Sequence, residues 1–371
     1  MNFASDNIAG IAPGILEAIT RANADADAAL GYGNDALTNH VERRLSEHFE
    51  RDVKAFLVTT GTAANAIALA ELVRPWGAVL CHGEAHIVTD ECGAPEFFGN
   101  GMRLIGLPGE ACKLSPETLA ESLARGAWGA PHHFTPQALS ITQATEAGTT
   151  YRPAEIAALA NVAHAHGLAV HMDGARLANA QARLQATPAE ITWKAGVDVL
   201  SFGATKGGAM AAEAIVFFDP RRATAMAERR KRGGHLLSKH RFVAAQFDAF
   251  LANDYCLTLA RHANEMADRL AAALTDIGVP TVWPVEANLV FVLLPKSLDK
   301  RLRDAGATYY VRSTAGLPEL VTAGTDAMMV RLVTSFATRE AEIDGFVRLL
   351  SEALLAQAPP QSRPIVFRNG A

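Results

Sequence analysis

The chain is expected to be an α/β protein in three layers, with helices covering a mostly parallel central sheet and a smaller α/β domain following at the C-terminal side. Two observations carry that expectation. Between residues 53 and 218, short apolar runs alternate with helical patterns, the sequence form of βαβ units folded into a covered parallel sheet. After about residue 220 the helical segments lengthen and the apolar runs become sparse, as in a second and smaller unit. With 371 residues there is ample chain for two cores.

The elements follow in order. Residues 1–30 form an N-terminal arm. VKAFLVTT (53–60) is a strand leading into the helical stretch TAANAIALAELV (62–73), and AVLCH (78–82) and ALSITQ (137–142) are further strands. AEIAALANVAHAHG (154–167) is helical, then LAVHM (168–172), VDVLSFG (197–203) and AIVFF (214–218) return to strands. RRATAMAERRKR (221–232) and LTLARHANEMADRLAAALTDIG (257–278) read as helices, the second with a glycine stop signal. NLVFVLL (288–294), ATYYVRS (307–313) and MMVRLVTSF (328–336) are strand-like, a helix covers about 338–356, and APPQSRPIVFRNGA (358–371) is a loop or packed arm. The resulting domains are an arm at 1–30, a large domain at 31–250 and a small domain with its tail at 251–371.

Composition narrows the class. Hydrophobic residues make up 49 % and charged residues 20 %, and a net charge of −5 argues against nucleic acid or an acidic membrane as a main partner. No stretch approaches the roughly 20 apolar residues of a spanning helix, and MNFASDNIAG has no leader pattern, so a cytoplasmic protein is expected. Cys81, Cys92, Cys112 and Cys256 have neither metal-site spacing nor a disulfide framework, so no metal is assigned.

Two segments carry the chemistry. SFGATKGGAM (201–210) places Lys206 in a loop of small residues, and thirty-three residues upstream HMDGARLANA (171–180) places Asp173 at the end of an apolar strand. An aldehyde cofactor needs a lysine for its Schiff base, and it acts as an electron sink when a carboxylate keeps its ring nitrogen protonated. Lys206 and Asp173 supply both parts, which points to pyridoxal 5'-phosphate. The chain has eight lysines against twenty-six arginines, which makes a lysine among glycines stand out from the surface population. Both residues fall at carboxyl ends of strands, where ligands sit in such sheets.

Gly61 and Thr62 begin a helix after a strand, where free N–H groups and the helix dipole suit a phosphate; an ordinary N-cap has the same appearance. His86, after the AVLCH strand, is a candidate for stacking on the cofactor and moving protons, with His82, His132 and His133 as rivals of similar local setting. Arg176 and Arg331 lie in apolar surroundings where an arginine requires an anion, and the planar fork matches a substrate carboxylate. An internal salt bridge is the competing reading for Arg331. In ERRKRGGHLLSKHR (228–241), Lys231 either is solvated or reaches a phosphate across a subunit boundary.

Taken in order, SDN (5–7), YGND (32–35), TTGTAANAIAL (59–69), EAHIVTDECGA (84–94), SITQATEAGTTY (140–151), HMDGARLANA (171–180), SFGATKGGA (201–209) and MVRLVTSF (329–336) resemble the low-specificity L-threonine aldolases. These form part of the β-eliminating lyase group of the aspartate-aminotransferase-like pyridoxal-phosphate enzymes. The resemblance implies the PLP-dependent transferase-like fold, and cleavage of L-threonine, L-allo-threonine and related β-hydroxy-α-amino acids to glycine and an aldehyde. It implies Lys206, His86 and Asp173 as catalytic residues, and Gly61, Thr62, Arg176, Thr205 and Lys231 as further cofactor contacts. Ser5, Arg176 and Arg331 would bind the substrate carboxylate. A homo-oligomer, a dimer of dimers, is implied as well. Two departures stand out: Thr145 or Glu146 occupies the place where part of the family has a second active-site histidine, leaving the base open, and Gly207 stands where asparagine often follows the lysine. Phenylserine aldolase, another β-lyase or aminotransferase, and a non-enzymatic pyridoxal-phosphate sensor are the alternatives.

Overall fold

Among the described residues ten strands form, most of them from apolar runs, and the carboxyl ends of the parallel ones decide where chemistry can occur. In a computed structural model, which describes residues 1–24, 30–129, 131–314, 316–318, 321 and 324–357, seven strands make one sheet. These are β1 (Lys54–Val58), β2 (Gly77–His82), β3 (Arg103–Leu107), β4 (Thr135–Thr142), β5 (Ala169–Gly174), β6 (Val199–Gly203) and β7 (Glu213–Phe217). Their order is β1-β7-β6-β5-β4-β2-β3, and β7 runs antiparallel to both its neighbours. The remaining pairs are parallel, from β6 through β5, β4 and β2 to β3. β5, β6 and β7 are buried along their whole length, as expected of strands covered on both faces.

Helix Gly61–Leu72 shows how sequence sets this packing. Every residue from Ala63 to Ala70 is buried, and five of those eight are alanines, so the helix can lie close on the sheet on all sides. Its side chains join Phe56, Val58, Val199, Ile215 and Phe217 in one apolar cluster.

The second sheet has the order β8-β10-β9, with β8 (Leu289–Pro295), β9 (Tyr310–Arg312) and β10 (Ala327–Val333) all antiparallel. Helices Tyr255–Asp276 and Glu340–Gln357 contribute Leu270, Leu274, Phe346 and Leu350 to its core. The first residues thread into this sheet. Phe3 is fully buried, its N–H bonds the carbonyl of Thr308, and its own carbonyl accepts from Val333 N–H. Asp6 is thereby brought to Arg176, just beyond the carboxyl end of the central strand β5.

The fold is the three-layer α/β form expected, with three local differences. β3 was not anticipated, because RLIGL lies at the sheet edge with Arg103 and Gly106 exposed, and Gly106 packs its backbone against Gly83. The stretch 221–232 is helical only over Met226–Arg232, since Pro220 opens a separate short turn capped by Asp219. The antiparallel β7 was not legible from its apolar run, which carries no direction. The tail at 358–371 lies outside the described residues.

Candidate active site

Loops from five strands meet at one rim of the large sheet. Thr59–Thr62 follow β1, His86 follows β2, Thr142–Glu146 follow β4, Asp173 ends β5 and Lys206 lies three residues beyond β6. They enclose two adjoining cavities of about 450 and 470 Å³ that share Asn7, His86, Glu146, Arg176 and Lys206. This is the crevice that open α/β sheets reserve for ligands.

Asp173 is buried at the bottom of the inner cavity. One carboxylate oxygen accepts from Asn65 Nδ2 at 2.8 Å and the other from Ala175 N–H at 3.0 Å. Burial raises the cost of its charge, yet the positive charges of His86 and Lys206 and these hydrogen bonds hold its pKa below the ordinary value. It is therefore a carboxylate built to stay ionised beside a cation.

The His86 ring is oriented by a second buried acid. Its Nδ1 lies 2.9 Å from Glu91 Oε1, and the same oxygen accepts from Asn65 Nδ2 at 2.9 Å. Asn65 thus bridges the two acids. The Glu91 hydrogen bond raises the His86 pKa, while burial raises that of Glu91. Ligand atoms of His86, Glu91 and Asp173 lie within 4.8 Å of one another, but this hydrogen-bond chain already accounts for their closeness. Among the rival histidines, His82 is spent on Gly109 O and Glu84 N, and His132 and His133 are exposed neighbours of each other.

Thr60 caps helix Gly61–Leu72 by accepting from Ala63 N–H at 3.1 Å, so Gly61 and Thr62 stand in its first turn at the cavity wall. A Cβ built on Gly61 would meet nothing within 4 Å, leaving open space over that helix terminus. Thr59 Oγ1 meets His235 Nδ1 at 2.9 Å. Thr205 also lines the cavity, with its hydroxyl accepting from Ala212 N–H at 3.2 Å. The Lys206 loop is pinned further by Gln246, whose side-chain oxygen accepts from Met210 and Ala211 N–H. Among the described residues no hydrogen bond or ion pair engages the Lys206 ammonium.

These features suit pyridoxal phosphate: an unengaged lysine, a buried ionised acid and an open helix terminus face one cavity of adequate size.

The outer cavity holds Ser5, Arg176 and Arg331 together. Arg331 Nη2 donates to Ala4 O at 3.2 Å and its guanidinium lies over the Tyr310 ring, but its Nε is buried without a partner. Burial and the neighbouring Arg176 and Arg312 push its pKa down to about 10. A buried guanidinium with a free donor is suited to receive an anion. The internal salt bridge considered for Arg331 is not formed among the described residues.

One assignment changes, and one residue lies apart from the cavity. Arg176 was expected to offer its fork to the substrate, but its Nε and Nη2 are taken by Asp6 at 2.7 and 3.0 Å. A guanidinium has five N–H donors, so Nη1 and the second hydrogen of Nη2 remain for an incoming carboxylate. Lys231 is not in this cavity within the chain; it is exposed, with Nζ 4.6 Å from the Tyr32 ring centre. The helix carrying it, Met226–Arg232, packs beside β1 and the helix Gly61–Leu72.

The model of the β-eliminating lyase family matches residues 2–297. The chain belongs to that family. The β-eliminating lyases most like it include the low specificity L-threonine aldolases of a Pseudomonas species and of Pseudomonas aeruginosa, 43 % and 44 % identical over 310 residues, 83 % of this chain and 88 % of each relative. A solved structure of Leishmania major threonine aldolase superposes with a TM-score of 0.86 at 28 % identity, covering 95 % of this chain and 99 % of that one.

Within this lyase scaffold the departure at Gly207 has a packing cause. A Cβ there would stand 2.7 Å from the Phe250 ring, and Phe250 is fully buried. Gly207→Asn is therefore expected to destabilise the protein by about 1–3 kcal/mol through overpacking. Denaturant unfolding of that variant and of Gly207→Asn with Phe250→Leu, which should recover part of the loss, checks it.

Asp6, Asn65, Glu91, Glu213 and His235 were missed by sequence reasoning. Glu213 lines the inner cavity opposite Lys206, where burial pushes its pKa up to about 7 against the pull of Thr205 and Lys206. No local pattern marks any of them: Asp6, Asn65 and His235 meet partners more than a hundred residues away, and the five-residue spacing of His86 and Glu91 becomes a pair only in the folded loop.

Proposed function

We propose that this chain is a pyridoxal-phosphate-dependent aldehyde-lyase that cleaves L-threonine, L-allo-threonine and related β-hydroxy-α-amino acids to glycine and an aldehyde. The observation that carries this reading is the shared cavity: Lys206 and Asp173 on one side, and the anion-seeking Ser5, Arg176 and Arg331 on the other. The names of the Pseudomonas and Leishmania relatives support it.

When bound, pyridoxal phosphate would supply an electron sink for the pair released at Cα. Lys206 would hold it covalently, Asp173 would keep its ring nitrogen protonated, His86 would lie on its ring, and Gly61, Thr62 and Thr205 would flank its phosphate. Arg331 and the free edge of Arg176, with Ser5, would grip the amino-acid carboxylate and so fix which Cα bond stands perpendicular to the ring. That orientation selects Cα–Cβ cleavage over loss of the α-proton.

The division into an arm at 1–30, a large domain at 31–250 and a small domain from 251 onward is part of the proposal, supported by two sheets with separate apolar cores. A cytoplasmic homotetramer also belongs to it. Among the described residues no helix is long and apolar enough to cross a membrane, and the four cysteines are unpaired. Tyr32, Phe97 and Met210 are exposed apolar side chains that a second copy would cover, and Lys231 would then reach a neighbouring site.

The test is product analysis with purified protein and added cofactor. Glycine and acetaldehyde in equal amounts from threonine support the reading; ammonia with a keto acid, or amino-group transfer alone, would replace it with another lyase or an aminotransferase. Asp173→Ala is expected to weaken cofactor affinity and to lower kcat by about 10²-fold or more, since a preorganised charge is lost at a buried site. Cofactor titration and saturation kinetics measure the two effects separately.

A further inference from the structure

The base that takes the β-hydroxyl proton is left open by His86 alone, and the loop after β4 narrows the choice. Gln143 is buried, with its side-chain amide donating to Tyr151 O at 2.8 Å and its side-chain oxygen accepting from Tyr151 N–H at 2.9 Å. Its own N–H bonds the carbonyl of Asp173. Thr145 N–H bonds Thr149 O, and Gly148 N–H bonds Thr145 O, closing a tight turn around Glu146. The turn is thus fixed at both ends to the sheet and cannot easily swing.

Thr145 and Glu146 are then sharply different. Thr145 is fully buried, and its hydroxyl is spent on Thr149 Oγ1 at 2.8 Å, Ala111 O at 3.2 Å and Thr149 N–H at 3.2 Å. It lines neither of the two site cavities. Glu146 lines both, together with a smaller adjoining cavity beside Trp283, Phe291 and Met329. Among the described residues no hydrogen bond or ion pair occupies its carboxylate. Its charge nonetheless acts on His86, Arg176 and Arg331, which places it among the groups that would surround the substrate.

We propose that Glu146 is the general base of the retro-aldol step, accepting the proton of the substrate β-hydroxyl directly or through one water. This rests on the aldolase reading above. The carboxylate takes the proton, the O–H pair becomes the second bond of the aldehyde carbonyl, and the Cα–Cβ bond breaks with its pair left on Cα. A proton delivered to Cα completes glycine, and the proton on Glu146 returns to solvent. His86 is the poorer acceptor, because Glu91 holds it toward its protonated form. Glu146 brings a carboxylate that faces both cavities and that no described hydrogen bond or ion pair occupies, which suits it to accept a substrate proton.

The test compares two reactions in the holoenzyme. Exchange of the glycine α-proton with deuterated water uses the same cofactor and carboxylate contacts but has no β-hydroxyl. Glu146→Gln is expected to lose about 10²–10⁴-fold in aldehyde release, while glycine exchange stays within about threefold of the unaltered protein. Equilibrium binding of pyridoxal phosphate and of glycine, read by fluorescence titration, should be unchanged. Glu146→Ala should regain aldehyde release when formate is added. Aldehyde release by Glu146→Gln near the unaltered rate, or equal losses in release and exchange, would overturn the assignment. If the unaltered enzyme exchanges glycine protons yet releases no aldehyde from either threonine diastereomer, the aldolase reading itself fails and the assignment falls with it.

Discussion

Lys206→Ala is expected to abolish aldehyde release from threonine, leaving no turnover above the uncatalysed background, while the fold is retained. The lysine is the nucleophile by which the cofactor would be held, and no other residue can replace a covalent amine. Because no described hydrogen bond or ion pair engages its ammonium, removing it breaks no direct contact, and the cost to stability should be confined to its longer-range pull on Asp6 and Asp173. The variant should still bind pyridoxal phosphate weakly through the helix terminus at Gly61 and Thr62 and through Asp173. Denaturant unfolding together with a coupled aldehyde assay separates the two effects. A variant that unfolds, or one that keeps substantial turnover, would contradict the role given to Lys206.

The second large effect is on stability. Asp6 and Arg176 are both almost completely buried and form a two-pronged pair, with Asn288 Nδ2 adding a third hydrogen bond to Asp6 at 3.0 Å. Asp6→Ala should cost about 3–5 kcal/mol, because it leaves a buried guanidinium without its counter-charge. It should also raise KM, since Arg176 loses the contact that aims its free edge at the substrate. Burial opposes the charge on Asp6, but Arg176 and Lys206 hold its pKa below the ordinary 3.8. The sign follows: a carboxyl whose folded pKa is depressed stabilises the fold fully above its unfolded pKa, and the contribution fades as pH falls through the folded value. Acid unfolding should therefore begin at higher pH in Asp6→Ala than in the unaltered protein. Chemical denaturation at pH 7 and an acid titration of the fold measure both outcomes.

How much of this was legible in the sequence depends on the range of the interactions. Lys206 and Asp173 were readable because each sits in a local pattern, an apolar strand followed by a loop of small residues, that fixes where it will lie. Gly61 and Thr62 were readable for the same reason, at a strand-to-helix turn. Asp6 was not, because its partner is 170 residues away and its own surroundings look like an exposed turn. Asn65 lies in a helix of alanines, and only the folded chain brings it between Glu91 and Asp173. The reach of Lys231 across a subunit boundary was not decidable from its sequence, because a run of basic residues shows charge but not what the charge meets. The choice between Thr145 and Glu146 needed the closed turn that buries one hydroxyl and leaves the other side chain facing the cavities. At the level of fold, strand alternation revealed the covered sheet, whereas the reversed direction of β7 and the edge strand β3 depended on neighbours rather than on their own residues.

The most direct test is to trap the link between protein and cofactor. Purified protein saturated with pyridoxal phosphate is reduced with borohydride, which turns a carbon–nitrogen double bond into a stable amine, and the modified peptide is located by mass spectrometry. One pyridoxyl group per chain on the peptide that contains Lys206, lost in Lys206→Ala, is the expected result. Label on any of the other seven lysines in its place, or none at all, would contradict the site described here.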